Sequence, residues 1–172
     1  AIVRQNHTAN AALFSAFRAD YTVVSRAIVA EHCIALVRTP LLAPFIERVT
    51  HGDEAVGTAL LERIEALVGQ ARITAWGLRV SAAGAPALHR ALMVEHQTVT
   101  IDALLRDPAA RERPLPAVPL LLLRQDEPRL APAGDTELRA ADEVLFAGTN
   151  AARERLQQTL ENANVRDYVL LG

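Results

Sequence analysis

Residues 135–148 read DTELRAADEVLFAG, and this stretch decides the fold of the chain. Gly134 and Asp135 are typical of a turn, and the apolar run from Val144 to Ala147 favours a buried strand. Gly148 then leads into a helical pattern from Asn150 to Leu160. The stretch therefore predicts a turn, a central strand and a helix in direct succession.

The rest of the region from residue 71 to residue 172 predicts further strands and one short helix. Residues 73–80 alternate in polarity as a half-buried strand does, and a short helix is predicted through Leu88 and Leu92. Residues 106–119 carry four prolines among charged residues, which is typical of an exposed loop. Further strands are predicted over 118–123, 129–131 and 168–171.

Two consecutive helices are predicted between residues 39 and 70. The first is broken at His51-Gly52, and the second is capped by Asp53 and extends to Val68, so the two form a helical hairpin. Its apolar stripe is predicted to bury against a second subunit, with packing inside the same chain as the alternative. The predicted interface residues are Leu42, Phe45, Ile46, Val49, Val56, Leu60, Ile64 and Leu67.

Residues 1–38 alternate between short apolar runs and helical patterns. Strands are predicted at Ile2-Val3 and over 20–24, and helices over 8–18 and after Ser25. This alternation is typical of βα units in a parallel sheet. The predicted fold class is therefore α/β, with a partial Rossmann-like βαβα segment over 1–38, a helical hairpin linker over 39–70 and a small α+β domain over 71–172.

The composition excludes several classes of function. The 172 residues contain 18 basic residues, and all of them are Arg, which excludes Schiff-base chemistry and a P-loop lysine. A formal net charge of −2 with interleaved charges disfavours nucleic acid as a partner, and no apolar run is long enough to insert into a membrane. The sequence opens on an apolar run without a leader and reads as a fragment of a longer protein.

No catalytic or metal-binding arrangement is predicted. Glu31, His32 and Cys33 are consecutive in a predicted helix, so their side chains diverge by about 100° and cannot converge on one substrate atom. The five histidines form no H-x-x-x-H pair, and the chain has one cysteine. We therefore expect no enzyme activity, no catalytic residue and no metal site, and the lone cysteine fits a reducing, cytoplasmic compartment.

The stretch 135–148 resembles the signature of the C-terminal subdomain of RCK (TrkA-type) regulators, which is Asp-Thr, Leu, Gly-Asp, an apolar strand and Gly. Upstream, residues 1–6 with Asn10, Leu13 and Ala19-Asp20 are similar to the last βαβ stretch of an RCK nucleotide-binding domain. A late Rossmann half, a helical linker and a C-terminal subdomain follow one another in the order of that family and together cover nearly the whole chain.

The resemblance implies a cytoplasmic module that gates a bacterial potassium channel or potassium uptake system. In the family, ligand binding changes the angle between paired subunits, and the helical hairpin crosses to the partner. It implies a homodimer or a larger ring, with a fused or separate potassium pore as the second partner, and residues 71–172 as the domain that senses the ligand.

The sequence departs from the family pattern in two places, one of which affects the expected ligands. Ala141 stands where the family has Gly before Asp142, so a turn with positive φ there is strained by about 1 kcal/mol or has another geometry. The G-x-G-x-x-G fingerprint is absent, so we expect no cofactor in this segment and a nucleotide only in the full-length protein. Arg4 and Asn6 follow the first strand where a Rossmann ligand would approach, and they are the candidate ligand-binding residues.

Two alternatives belong to other functional classes. The chain is also compatible with a fragment of a Rossmann-type, NAD-dependent oxidoreductase whose catalytic residues lie elsewhere, or with a purely structural dimerisation segment. The oxidoreductase predicts convergent acid and base groups in the C-terminal region, and the structural segment predicts an apolar interface without a pocket.

Overall fold

The computed structural model describes residues 2–5, 21–24, 39–51, 54–68 and 72–171. The chain divides into two compact units, one from Ala1 to Pro40 and the other from Leu41 to Gly172. In the described ranges, every helix is too short or too polar to cross a bilayer.

The first unit contains two short parallel strands, β1 (Ile2–Gln5) and β2 (Tyr21–Val24). Their register pairs Ile2 with Tyr21 and Gln5 with Val24. A parallel pair needs a crossover connection, which agrees with the predicted order of strands in this segment. The helices predicted over 8–18 and after Ser25 lie outside the described residues.

A four-stranded antiparallel sheet forms the centre of the second unit. In spatial order its strands are β3 (Thr74–Arg79), β8 (Glu143–Gly148), β6 (Ala117–Arg124) and β7 (Glu127–Leu130). The predicted strands 73–80, 118–123, 129–131 and 144–147 are thus confirmed within one or two residues, and β8 is hydrogen-bonded on both sides.

The two central strands, β8 and β6, are buried on both faces: successive side chains of a strand point to opposite sides, and consecutive residues of both strands are buried. On β8, Val144 and Phe146 belong to one apolar cluster, and Leu145 and Ala147 belong to the other. In the first cluster, Phe146 stacks on Trp76 with ring centroids 6.0 Å apart.

Four helices supply side chains to the first cluster. They are α3 (Pro86–Met93), α4 (Ile101–Leu104), α5 (Asn150–Glu161) and α6 (Ala163–Leu170). Polar side chains fix three of their starts: Thr100 and Thr149 each accept a hydrogen bond from a backbone N–H three residues later, and Asn162 accepts two.

The predicted helical hairpin lies on the opposite face of the sheet. It consists of α1 (Leu42–His51) and α2 (Glu54–Val68). Leu41 and Leu60 are buried against β6 and β8, at 5% and 4% exposure. The hairpin therefore packs within the second unit instead of standing apart as a linker.

Two sequence-based expectations in this unit are wrong. The segment 168–171, predicted as a strand, belongs to the end of α6, which begins after the cap at Asn162 and is held by the buried Arg166. The Arg166 guanidinium donates to the Ala87 carbonyl oxygen at 2.8 Å and forms an ion pair with Glu95 at 2.9 Å.

The segment 106–119, predicted as an exposed loop, contains a second small sheet. Strands β4 (Arg106–Asp107) and β5 (Ala110–Pro114) form an antiparallel hairpin, and β6 begins at Ala117. Asp107 is buried at 6% exposure and accepts hydrogen bonds from its own turn, at the Ala109 N–H, and from the Arg155 guanidinium of α5. This carboxylate anchors a segment whose composition is that of a loop.

Candidate functional site

Residues 135–142, the first part of the stretch that resembles the RCK signature, form a turn between β7 and β8, and backbone hydrogen bonds fix its course. The N–H groups of Ile101 and Asp102 donate to the carbonyl oxygens of Thr136 and Gly134, at 3.1 and 2.8 Å. Farther along, the Ala141 N–H donates to the Val80 carbonyl oxygen at 2.9 Å. The turn is therefore attached both to α4 and to the end of β3.

The Asp142 carboxylate is the polar centre of this turn and is 1% exposed. Its two oxygens accept hydrogen bonds from Arg124 Nε and Nη2, at 2.8 and 2.7 Å, in a bidentate geometry. The Arg139 N–H donates to the same carboxylate at 2.8 Å, and Arg124 Nη2 also reaches the Glu137 carbonyl oxygen at 2.7 Å. One buried carboxylate thus joins the turn to the end of β6.

Arg124 forms an ion pair with the Asp142 carboxylate at 2.7 Å. The hydrogen bond to Asp142 raises the pKa of the Arg124 guanidinium, and partial burial opposes this effect. Since an ordinary arginine is already protonated at every physiological pH, the pair behaves as a permanent ionic link, not as a proton-transfer group.

Ala141 adopts the left-handed backbone conformation, with φ of 67°. The family pattern has Gly at this position, and the sequence left open whether the turn keeps positive φ or changes. In the structure φ is positive with a side chain present, which costs about 1–2 kcal/mol relative to a relaxed residue.

Two adjoining surface clefts flank this turn. The first has a volume of about 250 Å³ and the second about 550 Å³. Arg79, Ala140 and Ala141 line both of them. The first cleft is mainly charged, and its other charged lining residues are Arg124, Asp126, Arg139, Asp142 and Glu143. The second cleft contains Ser81, Gly84 and His89.

Two groups in these clefts, the Asp142 carboxylate and the Ser81 hydroxyl, could act as a base or as a nucleophile. The Asp142 carboxylate already accepts three hydrogen bonds, which leaves it little capacity as a general base. Ser81 Oγ accepts a hydrogen bond from the Gly84 N–H at 3.0 Å, and across the described part of the chain no imidazole or carboxylate is hydrogen-bonded to it. An activated serine needs such a base.

The candidate ligand-binding residues of the first unit are only partly described. Arg4 lies on β1, one residue before its end, and its side chain lies outside the described part of the structure. Asn6 lies wholly outside it. Their role as ligand contacts remains a prediction.

The eight predicted interface residues fall into three groups. Leu60 is buried in the second apolar cluster, and Leu42, Phe45 and Ile64 pack against that cluster. Ile46 and Val49 on α1 are exposed, at 43% and 38%. The side chains of Val56 and Leu67 lie outside the described part. Half of the stripe thus contacts the sheet of its own chain, and two members face outward.

Sequence reasoning did not single out the Arg124–Asp142 pair. Asp142 stood inside the quoted signature, but nothing near it in sequence indicated its partner, which is 18 residues away. One signal in the sequence could have indicated the pair: Arg124 is a charged residue at the end of an otherwise apolar strand. A partly buried charge there needs a partner.

No family model matches the chain, and no curated protein matches it. A crystal structure of the GsuK RCK domain aligns with 92% of this chain and 26% of its own chain, at 18% identity and a TM-score of 0.33. The chain thus spans about a quarter of the length of that protein, and a TM-score this low does not establish a common fold.

Proposed function

We propose that the chain is a non-catalytic regulatory module of the RCK (TrkA-type) class. It acts from the cytoplasm on the conduction of a bacterial potassium channel or uptake system. The observation that carries the proposal is the left-handed φ at Ala141, directly before the buried Asp142. The resemblance places Gly-Asp at these two positions, and a backbone that retains positive φ without Gly supports a turn of that family type.

The second support is the topology of residues 41–172. A sheet covered by helices on one face and by a helical hairpin on the other agrees with a small α+β domain that carries its own core. In these clefts the Asp142 carboxylate already accepts three hydrogen bonds, and among the described residues no base is hydrogen-bonded to Ser81. We propose that the clefts bind a ligand without transforming it and that the chain has no enzyme activity.

We also propose that the chain forms a dimer, and burial within the chain reduces the number of residues that could form its interface. Leu60 already contacts its own sheet, so the outward face of α1 is the better candidate. Ile46 and Val49 lie three residues apart on one face of that helix and are exposed. We propose that this face meets a second copy in a homodimer or a larger ring.

We propose that a nucleotide binds only to the full-length protein. Arg4 and Asn6 would contact a nucleotide only where the remaining part of a Rossmann domain supplies a phosphate-binding loop. We propose that this segment by itself holds no cofactor and that the pore, fused or separate, is the partner that responds.

The proposal is tested by measuring rubidium uptake, as a tracer for potassium, in the cells from which the chain derives. Deletion of the gene should change the uptake rate, and a chromosomal Ile46→Asp, Val49→Asp variant should change it in the same direction. The matched control is Met93→Asp, Val94→Asp, which places two charges on exposed apolar residues elsewhere, at 51% and 67% exposure.

Sedimentation equilibrium on the same purified variants separates assembly from transport. A dimer that is lost in the Ile46 and Val49 variant and kept in the control supports the proposed surface. Uptake that is unchanged by deletion would refute the regulatory role, and a dimer that is lost only in the control would place the interface elsewhere.

A further inference from the structure

The hairpin β4–β5 carries three arginines around one cleft. Arg106, Arg111 and Arg113 line a space of about 320 Å³, together with Glu112 and Pro114. Because only one carboxylate lines this space, its formal charge is +2 in a chain whose net charge is −2. Positive charge is therefore concentrated at this hairpin, although basic and acidic residues are interleaved along the sequence as a whole.

The three guanidinium groups have few partners of their own. Over residues 72–171, neither Arg111 nor Arg113 has an ion pair or a side-chain hydrogen bond. Arg106 donates to the Val169 carbonyl oxygen at 3.5 Å, at the limit of a hydrogen bond. Like charges held near one another repel, and an anion placed between them would relieve that repulsion.

The cleft is held in place by the fold. Asp107 follows Arg106 in the sequence but does not line the cleft: its carboxylate is buried and accepts hydrogen bonds from the Ala109 N–H and the Arg155 guanidinium. On the other side of the hairpin, the Leu115 N–H donates to the Leu105 carbonyl oxygen at 2.7 Å, and both leucines belong to the first apolar cluster. The backbone that carries the arginines is therefore anchored at both ends.

We infer that this cleft binds a phosphate group. Arginine presents planar donors that match the oxygens of phosphate and carboxylate. A carboxylate has two acceptor oxygens, whereas a terminal phosphate has three, which corresponds to the three guanidinium groups. The phosphate comes either from a small phosphorylated molecule or from the headgroup of an anionic lipid. This inference concerns a surface separate from the signature turn and does not depend on the role in potassium transport.

The test uses pyrophosphate as a free probe and lipid vesicles as the membrane source. Isothermal titration calorimetry with pyrophosphate is compared with acetate at the same ionic strength, and co-sedimentation is measured with vesicles of phosphatidylcholine with and without phosphatidylglycerol. The variant is Arg111→Gln, Arg113→Gln. The control, Arg63→Gln, Arg129→Gln, removes the same charge from exposed residues of α2 and β7. Circular dichroism checks that both variants remain folded.

We expect pyrophosphate to bind more tightly than acetate, and its affinity to fall at least tenfold in the Arg111 and Arg113 variant but less than twofold in the control. Vesicle binding that requires phosphatidylglycerol, with the same dependence on the two arginines and without binding of pyrophosphate, would assign the phosphate to a lipid. The inference is overturned if neither probe binds, if acetate binds as well as pyrophosphate, or if the control variant loses as much affinity.

Discussion

Replacement of Ala141 by Gly should stabilise this protein, although glycine usually destabilises. At φ of 67° the alanine Cβ costs about 1–2 kcal/mol, which glycine removes. Glycine also gives the unfolded chain more freedom, which costs about 0.5–1 kcal/mol. Since Ala141 is exposed and loses no buried area, the free energy of unfolding should rise by about 0.75 kcal/mol, the centre of the difference between these two ranges. A chain of this length should gain about 2–3 °C in Tm.

Urea unfolding followed by the fluorescence of Trp76 measures this change, because the single tryptophan is buried in the first apolar cluster. The matched control is Ala140→Gly, an exposed neighbour whose φ is not positive. That variant should lose about 0.5–1 kcal/mol, so the two substitutions should have opposite signs. If Ala141→Gly destabilises the protein as Ala140→Gly does, the left-handed turn is wrong, and the support it gives to the proposed family is lost.

Three further substitutions test the packing around the same region by urea unfolding. Asp142→Ala should cost about 3 kcal/mol because it leaves a partly buried arginine unpaired. Asp126→Asn neutralises an exposed carboxylate of the same cleft with a residue that tolerates the positive φ of 63° there, so it should change stability by less than about 0.5 kcal/mol. Equal losses would contradict the central role of the buried pair. Gly148→Ala should lower the free energy of unfolding by about 2 kcal/mol, because a Cβ at this position would lie 2.5 Å from the Pro116 carbonyl oxygen. An unchanged urea midpoint would show that the chain before β6 lies farther from the end of β8. At concentrations where the chain is monomeric, Leu60→Ala should still lower the free energy of unfolding by about 3 kcal/mol, because Leu60 is buried within its own chain. Under the same conditions Ile46→Ala should lower it by less than about 0.5 kcal/mol. A larger loss for Ile46→Ala than for Leu60→Ala would mean that Leu60 faces outward.

The elements that the sequence predicted well are those whose apolar pattern has one interpretation. β6 and β8 are continuous apolar runs buried on both faces, and the hairpin of α1 and α2 has helical spacing and a break at His51-Gly52. In each case local propensity and tertiary burial favour the same structure.

The errors arose where short-range composition and long-range contacts disagree. The run at residues 168–171 is apolar and short, so it fits a strand as well as the end of a helix. What decides for the helix is the Asn162 cap and the buried Arg166, which contacts α3 79 residues earlier in the chain. Residues 106–114 have the composition of a loop, yet they pair as two strands, and Asp107 contacts Arg155 of α5, 48 residues later in the chain. No local pattern contains these partners.

The turn that forms the candidate site was predictable as a turn, but the sequence analysis placed the candidate ligand contacts elsewhere, at Arg4 and Asn6, and did not identify the interactions of Asp142. The signature indicated a turn before β8, and the expected strain at Ala141 corresponds to the observed φ. The partner of Asp142 lies on another strand, so periodicity could not identify it. The assignment of Leu60 to an intersubunit stripe rested on spacing alone, which cannot distinguish a partner sheet from the sheet of the same chain.

The alternation along β8 has a consequence for how this sequence can vary. Phe146 contacts the cluster that contains Trp76, and Leu145 contacts the cluster that contains Leu60, with the strand backbone between them. A change of side-chain volume on one face can be compensated only by residues of that face, since the interior is close-packed. Variant libraries of the two faces should therefore recombine with nearly additive effects on stability, whereas pairs chosen within one face should not.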